Sequence, residues 1–140
     1  MGYEGPLPRP DNDSAIYWEG ARRHELLLQW CTSCKRPRFY PRSVCPFCFS
    51  DVFSWEKASG RAVIYTFTVV HRPPYPAFGD RVPYVLALVQ LEEGVRMMTN
   101  VIDCDLKEVH IGMKVEVAFD DVTDEITLPK FRPSRRTEAK

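Results

Sequence analysis

Alternation of apolar and polar residues marks the second half of the chain as β-structure. Five segments carry this alternation or are rich in β-branched and aromatic residues, and turn residues separate them. Their short length and the lack of a long helical pattern predict a small closed barrel of the OB type, with an SH3-like barrel as the nearest competitor. In the first segment, alternation places four side chains on one face: Val63, Tyr65, Phe67 and Val69. The predicted strands are residues 61–70, 84–91, 95–102, 113–121 and 125–131.

The first half of the chain has shorter patterns. Prolines and glycines crowd its beginning, and good N-cap residues between Asp11 and Ser14 precede a proline-free stretch, which predicts a short helix. The runs ELLLQW, RFYPR and FSWEKA predict three short strands. The chain is therefore predicted to be mainly β, with a short N-terminal helix before a ribbon and a barrel. The predicted parts are an extended arm (1–13), a helix (14–24), a zinc ribbon (25–58), an OB-fold barrel (59–133) and a basic tail (134–140).

The strongest chemical signal is a pair of CxxC motifs separated by ten residues. Each motif can turn two thiolates toward one point, and the intervening hairpin brings the pairs together, as a tetrahedral Zn²⁺ site requires. Disulfides and a rubredoxin-like iron site are the alternatives. Four protein ligands leave no open coordination position, so the zinc is expected to be structural, contributing on the order of 10 kcal/mol to ordering the ribbon. The predicted ligands are Cys31, Cys34, Cys45 and Cys48.

Other residues near the motifs allow two interpretations. The ribbon aromatics are expected to wrap the metal unit, and the alternative is a stacking platform for nucleic-acid bases. The fifth cysteine, Cys104, has no partner at ligand spacing and is interpreted as a half-buried hydrophobe and not as a nucleophile. The ribbon aromatics are Trp30, Phe39, Tyr40, Phe47, Phe49, Phe53 and Trp55.

Charge is balanced in total and polarised along the sequence. Nineteen basic residues match nineteen acidic ones, which argues against a general nucleic-acid binder. Residues 22–42 hold six basic residues against one acid, residues 92–125 hold ten acids against three bases, and residues 130–140 hold five bases against one acid. The basic segment is either a solvated face with weak ion pairs or a patch near the cysteines that holds an anion.

Segments that would direct the chain to a membrane or out of the cell are not found. The N-terminus has neither a basic nor an apolar signal region, and the longest apolar runs are only a few residues, so the expected location is the cytoplasm.

One long connection, residues 71–83, carries four prolines with aromatic, arginine and histidine side chains. Such a loop is either a functional surface or a plain excursion over a barrel end.

Taken together, these motifs resemble a known family: acyl-CoA-associated OB-fold proteins with an N-terminal rubredoxin-like zinc ribbon, long described as a domain of unknown function. The resemblance covers roughly residues 14–133. It is carried by YWEGARRHELLLQWCTSC, PRSVCPFC, SGRAVIYTFTVVHRPPYPAFGDRVPYVLALVQLEEGVRMMTNV and IGMKVEVAFDDVTDEITLPKFRP. It implies a non-catalytic zinc-containing subunit that binds a thiolase-like enzyme and helps to form its acyl-CoA site. The implied reactions are thiolytic or retro-aldol cleavage of CoA thioesters, in fatty-acid, aromatic or steroid side-chain degradation.

The sequence motifs likewise contain no recognisable combination of catalytic residues. The resemblance implies an assembly of two thiolase-like and two accessory chains. A zinc-ribbon and OB protein that binds nucleic acid is the alternative, which the acidic stretch disfavours. For CoA phosphates the candidates are Arg36, Arg38 and Arg42, and for the acyl or partner surface they are His71, Arg72, Tyr75 and Phe78.

Overall fold

The structure, a computed structural model, describes residues 7–72 and 82–134. It is mainly β, as predicted, with one short α-helix. No helix in these residues is long and apolar enough to cross a lipid bilayer. The elements are α1 (Ala15–Arg22), β1 (Leu27–Cys31), β2 (Pro37–Arg38), β3 (Phe53–Lys57), β4 (Arg61–Val70), β5 (Tyr84–Leu91), β6 (Arg96–Val101), a 3₁₀ helix (Leu106–Glu108), β7 (Lys114–Asp121) and β8 (Thr127–Pro133).

Helix α1 begins after a turn built by Asp11. The Asp11 carboxylate accepts hydrogen bonds from the backbone N–H and the hydroxyl of Ser14, both at 2.9 Å. These bonds occupy the Ser14 side chain, which makes no capping bond of its own. The helix ends before the predicted residue 24 because His24 adopts the left-handed conformation, with φ at 64°. Gly20 lets α1 lie close to β1, since a Cβ at this glycine would come within 2.6 Å of Leu27 Cδ1.

The ribbon is a small antiparallel sheet in the order β2-β1-β3. Strand β1 is central and pairs over its whole length with β3, from Leu27 opposite Lys57 to Cys31 opposite Phe53. Strand β2 contributes only two residues, Pro37 and Arg38, although the run RFYPR favoured a longer strand there. The ribbon therefore has little regular hydrogen bonding of its own.

The barrel closes in the order β4-β5-β6-β8-β7, with β7 pairing back to β4. All contacts are antiparallel except the one between β6 and β8, where Val101 lies opposite Phe131 in parallel orientation. The five strands lie within two residues of the predicted segments, which confirms the predicted closed barrel. Closure leaves no free sheet edge, so every strand has two neighbours.

The prediction that alternate side chains of β4 share one face along the whole strand is wrong. The register of β4 against β5 shifts between Ile64 and Thr66, so the strand does not keep one inward face along its length. Before the shift, Ile64 is buried while Val63 and Tyr65 are exposed; after it, Phe67 and Val69 pack against the core. A β-bulge causes this because one extra residue moves the following side chains to the opposite face.

The helix, the ribbon and the barrel contribute to one continuous hydrophobic core. Tyr17 of α1 and Leu28 of β1 belong to the same buried cluster as the barrel residues Ile64, Val89 and Phe131. Phe131 is completely buried and is the largest fully buried side chain described. The ribbon is therefore packed onto the barrel and not merely tethered to it.

Candidate metal centre and adjoining arginine groove

The four cysteines of the two CxxC motifs converge at one end of the ribbon. All four sulfur atoms lie within 4.8 Å of one another, and the Cys31–Cys48 and Cys34–Cys45 sulfur pairs are 3.6 and 3.7 Å apart. A tetrahedral zinc with Zn–S bonds of about 2.3 Å places its sulfur ligands about 3.8 Å apart. The donor set and its spacing therefore fit a zinc ion.

The two motifs fold as matching knuckles. The residue after each motif, Lys35 or Phe49, has a φ of 65°. Its backbone N–H donates to the carbonyl of the first cysteine of the motif, Cys31 or Cys45, at 2.9 Å in both cases. This repeated turn aims the two sulfurs of each motif in the same direction, which explains why two residues separate the cysteines.

Backbone amides also favour thiolates in this cluster. The Cys34 N–H, 3.5 Å from the Cys31 sulfur, lowers the pKa of the Cys31 thiol to about 6. Burial raises the pKa of Cys34 to about 11, and the neighbouring Cys45 sulfur adds to that rise. A cation between the sulfurs removes this conflict because it stabilises all four thiolates together.

Cys104 lies outside the cluster, as predicted. It is half-buried against the core, and its sulfur donates to the Asp105 carbonyl at 3.4 Å. Burial raises the pKa of its thiol, and the charges of Glu108 and Asp105 raise it further. These surroundings disfavour the thiolate and agree with the interpretation of Cys104 as a small packing residue.

The expectation that the ribbon aromatics wrap the metal unit is only partly correct. Trp30, Phe39 and Trp55 pack against the shared core. Phe47 and Phe49, in and after the second knuckle, are 53% and 80% exposed. The knuckle is too small to enclose large rings, because its interior is occupied by the cysteine sulfurs and the backbone that surrounds them.

A groove of about 560 Å³ lies between the ribbon and the β5–β6 hairpin of the barrel. All three predicted arginines, Arg36, Arg38 and Arg42, line it. The hairpin side adds a fourth arginine, Arg96, together with Gln90. Sequence reasoning missed these two because nothing local indicates that the hairpin meets the ribbon. We call this feature the arginine groove.

Arg38 is the structural centre of the arginine groove. It is only 4% exposed, its Nε donates to Gln29 Oε1 at 2.8 Å, and its Nη2 donates to the Arg42 carbonyl at 2.8 Å. The same Gln29 oxygen accepts the Arg42 backbone N–H at 2.7 Å. Gln29, buried in the middle of β1, therefore fixes both arginines, and its polar position within the run LLQW is the signal that could have identified it.

The predicted loop residues lie elsewhere. His71 and Arg72 follow the end of β4 and are exposed, and neither lines the arginine groove. Strand β5 runs from Tyr84, next to this end of β4, to Gln90 at the groove, a distance of about 20 Å along the strand. The remaining two predicted residues, Tyr75 and Phe78, lie outside the described residues.

The fold and the cysteine site define a class of protein, a zinc ribbon joined to an OB-type barrel. A family model described as "ChsH2, rubredoxin-like zinc ribbon domain" matches residues 18–54, and one described as "ChsH2, C-terminal OB-fold domain" matches residues 55–120. The chain therefore belongs to the ChsH2 family, whose members are also described by the domain name DUF35. This match confirms the resemblance seen in the sequence and the OB type of the barrel.

Relatives of this chain carry two kinds of name. A "DUF35 domain-containing scaffold protein" of Methanocaldococcus jannaschii is 38% identical over 104 residues, 74% of this chain and 73% of that protein. A "Probable enoyl-CoA hydratase alpha subunit" of Thermomonospora curvata is 40% identical over 131 residues, 92% of this chain and 40% of that protein. This chain thus spans less than half the length of the hydratase subunit.

A solved structure gives the same picture at the level of the fold. A chain of the complex described as "Ltp2-ChsH2(DUF35) aldolase" superposes with a TM-score of 0.81 at 39% identity. The match covers 90% of this chain and 98% of that chain. The two chains therefore share their fold over nearly the whole of the matched chain.

Proposed function

We propose that this chain is a non-catalytic accessory subunit that binds a thiolase-like enzyme and helps to form its acyl-CoA site. The reaction class is thiolytic or retro-aldol cleavage of CoA thioesters, such as those of fatty-acid, aromatic or steroid side-chain degradation. The observation that carries the proposal is the match over 98% of a chain from a structure described as an aldolase of two named components, Ltp2 and ChsH2.

In this proposal zinc has a structural role. Cys31, Cys34, Cys45 and Cys48 hold Zn²⁺ as thiolates, and their sulfur spacing supports this assignment. With four protein ligands the ion has no position for substrate, and what it supplies is the order of the knuckles. The first knuckle in turn positions Arg36 beside the arginine groove, since the Cys31 backbone N–H donates to the Arg36 carbonyl at 2.9 Å.

The chain contributes to the acyl-CoA site by binding and positioning. Guanidinium groups of Arg36, Arg38 and Arg42 bind CoA phosphates, since planar forks match phosphate oxygens. His71 and Arg72, about 20 Å away along β5, belong with Tyr75 and Phe78 to the acyl or partner surface. An extended thioester suits these two separated regions, and the partner's own residues make and break bonds.

The test is reconstitution with a thiolase-like protein of the same organism. The two proteins are co-expressed with a tag on one, and the mass of the complex is measured by light scattering after gel filtration. We expect a heterotetramer of two copies of each, and a turnover of CoA thioester that depends on this chain. Separate migration of the two proteins, together with unchanged turnover when they are mixed, would falsify the proposal.

A hydratase partner is the second candidate. The relative from Thermomonospora curvata and another from Mycobacterium tuberculosis, "3-oxo-4,17-pregnadiene-20-carboxyl-CoA hydratase alpha subunit", carry the matched segment within a longer chain. The same reconstitution with a neighbouring hydratase-like protein distinguishes the two. Stable binding to that protein, with hydration in place of carbon–carbon cleavage, would support the hydratase assignment.

A further inference from the structure

The arginine groove is lined by side chains of the ribbon and of the β5–β6 hairpin. One of them is the guanidinium of Arg38, which forms no ion pair in the described residues. We propose that it is a binding site for the phosphate groups of an organic diphosphate, complete on this chain without a partner, in which Arg96 of the barrel acts with the three ribbon arginines. The inference rests on the proposed function only for the source of the diphosphate, which there is CoA.

The first argument is the state of Arg38. Its Nη1 is buried and has no hydrogen-bond partner within the described residues. The two groups that its other nitrogens contact, the Gln29 side chain and the Arg42 carbonyl, are both uncharged. A buried guanidinium without a counter-charge is unfavourable, so its position beside an open groove favours an anion there.

The second argument is the way aromatic rings hold the other arginines. The guanidinium of Arg36 lies 4.8 Å from the centre of the Phe47 ring, and that of Arg96 lies 3.7 Å from the centre of the Tyr65 ring. Arg38 packs in the same way on Phe53, at 4.8 Å. Stacking occupies the faces of these planar groups and leaves N–H edges for an anion.

The third argument is that no ion pair to the four arginines is found in the described residues, although Glu93 also lines the arginine groove. In residues 7–72 and 82–134, ion pairs are formed by other arginines, including Arg23, Arg61 and Arg132, and by none of the four that line the groove. Their charges are therefore available to a ligand. A diphosphate is the ligand we infer because arginines line the groove from both the ribbon and the hairpin, and two phosphates offer each set of guanidinium groups its own oxygens.

One acid in the arginine groove opposes the ligand and gives a useful test. Glu93 lines the groove, its Oε2 accepts the Ser59 backbone N–H at 2.8 Å, and its Oε1 is buried without a partner in the described part of the chain. Its negative charge repels phosphate. Glu93→Gln keeps the acceptor for Ser59 and removes the charge, so it should strengthen binding if phosphate enters this groove.

The experiment is titration of the full zinc-loaded chain, without partner, by isothermal calorimetry. The probes are inorganic phosphate, pyrophosphate, ADP, CoA and adenosine. We expect pyrophosphate, ADP and CoA to bind with similar affinity, phosphate to bind more weakly, and adenosine not to bind. ADP and CoA share adenosine as well as the diphosphate, whereas pyrophosphate has no nucleoside. Equal affinity of pyrophosphate with these two, and no binding of adenosine, therefore identifies the diphosphate as the recognised group.

Variants localise the binding. Arg36→Gln and Arg96→Gln should each weaken pyrophosphate binding about tenfold, and Glu93→Gln should strengthen it severalfold. Arg22→Gln, an exposed change of equal charge at the end of α1, is the matched control and should leave affinity unchanged. Circular dichroism and zinc content of each variant confirm folding.

Three outcomes would overturn the inference. They are no binding of pyrophosphate at millimolar concentration, equal losses in the Arg22 and Arg96 variants, and binding of CoA that Arg96→Gln does not change. None of these affects the co-migration of the chain with a thiolase-like enzyme. The inference and the proposed function can therefore fail separately.

Discussion

The ribbon and the barrel are two regions of one chain that reach order by different means. The barrel has five strands of six to ten residues, closed by hydrogen bonds on every side and filled with side chains such as Phe131. The ribbon has strands of five, two and five residues, and its cysteine cluster and a buried polar contact at Gln29 hold the segment between them. The barrel is thus stabilised by apolar burial. The ribbon shares that core through Leu28 and its packed aromatics, and it adds the buried Gln29 contact and four cysteines positioned to bind a metal.

The difference explains where the candidate functional groups are. The knuckle region, where the cysteines converge, can expose Phe47 and Phe49, because its order does not depend on burying these rings. The barrel supplies the rigid wall, including Arg96, against which the ribbon forms a groove. Four tests examine this contrast, ordered from the largest expected effect.

Substitution of one of the four clustered cysteines should show the largest difference between the responses of the ribbon and the barrel. We expect Cys45→Ser to abolish stoichiometric zinc binding and to disorder the knuckles, because a structural zinc contributes on the order of 10 kcal/mol. The chain's three tryptophans, Trp18, Trp30 and Trp55, lie in the helix and ribbon and pack on the shared core, so their fluorescence reports how these parts are ordered on the barrel. Emission should shift to the red, while hydrogen exchange shows the β5 amides still protected.

The matched control for this test is Cys104→Ser. Cys104 lies outside the metal cluster, so its substitution should leave zinc content and tryptophan emission unchanged. If Cys45→Ser also removes protection from β5, the barrel does not maintain its order without the metal. The proposed contrast between the two regions would then be wrong.

A cavity in the barrel core should cost less than loss of the metal but more than any surface change. We expect Phe131→Ala to lower the free energy of unfolding by about 3–5 kcal/mol, because the completely buried ring leaves a void. Phe49→Ala, at an 80% exposed ring of the ribbon, should change it by less than about 0.5 kcal/mol. Urea denaturation of both variants measures the two values, and similar costs would contradict the assignment of the core.

The polar contact inside the ribbon should be next in size. Gln29→Leu leaves the Nε of Arg38 and the N–H of Arg42 without their acceptor, and we expect a loss of about 3 kcal/mol in urea denaturation. Gln29→Glu keeps the acceptor oxygens and adds a counter-charge for Arg38, so it should retain more stability than the leucine variant. A leucine variant as stable as the native protein would show that apolar packing also suffices in the ribbon.

The smallest effect concerns the contact between the end of α1 and the barrel. The Thr127 hydroxyl donates to the Asp121 carboxylate, and His24 Nε2 lies 3.0 Å from it. These two contacts, the first the stronger, hold the pKa of Asp121 below its usual value of 3.8. The carboxylate therefore stabilises the fold above pH 3.8, and this contribution is lost as the pH falls through the lowered pKa.

Melting temperature measured against pH tests this contact. We expect Asp121→Asn to melt slightly below the native protein at pH 6, with the difference shrinking as the pH falls below 3.8. The shift is small because the carboxylate is exposed to solvent. Asp124→Asn, an exposed change in the same turn, is the control and should not alter the pH profile. A difference that does not shrink as the pH falls below 3.8 would contradict the role of the ionised carboxylate.

Much of the barrel and the metal cluster could be predicted because their signals are local. Each barrel strand can be recognised from the alternation or composition of its own residues, and each CxxC motif contains its own turn. The inward face of β4 was predicted wrongly because the alternation within β4 carries no sign of the bulge after Ile64. That bulge depends on how β5 pairs with β4. The burial of Arg38 could not be predicted from the residues around it, because its hydrogen-bond acceptor, Gln29, lies on a neighbouring strand.

The sequence by itself determined the order of the parts, the four sulfur ligands and the closed barrel, because short-range periodicity and spacing specify them. Only the tertiary structure decided that Arg96 joins Arg36 and Arg38 around one groove, and that His71 and Arg72 lie away from it. The physical reason is that packing of the ribbon on the barrel arises from contacts between residues distant in sequence. The shared core, where Leu28 meets the barrel side chains, is what brings the arginines together.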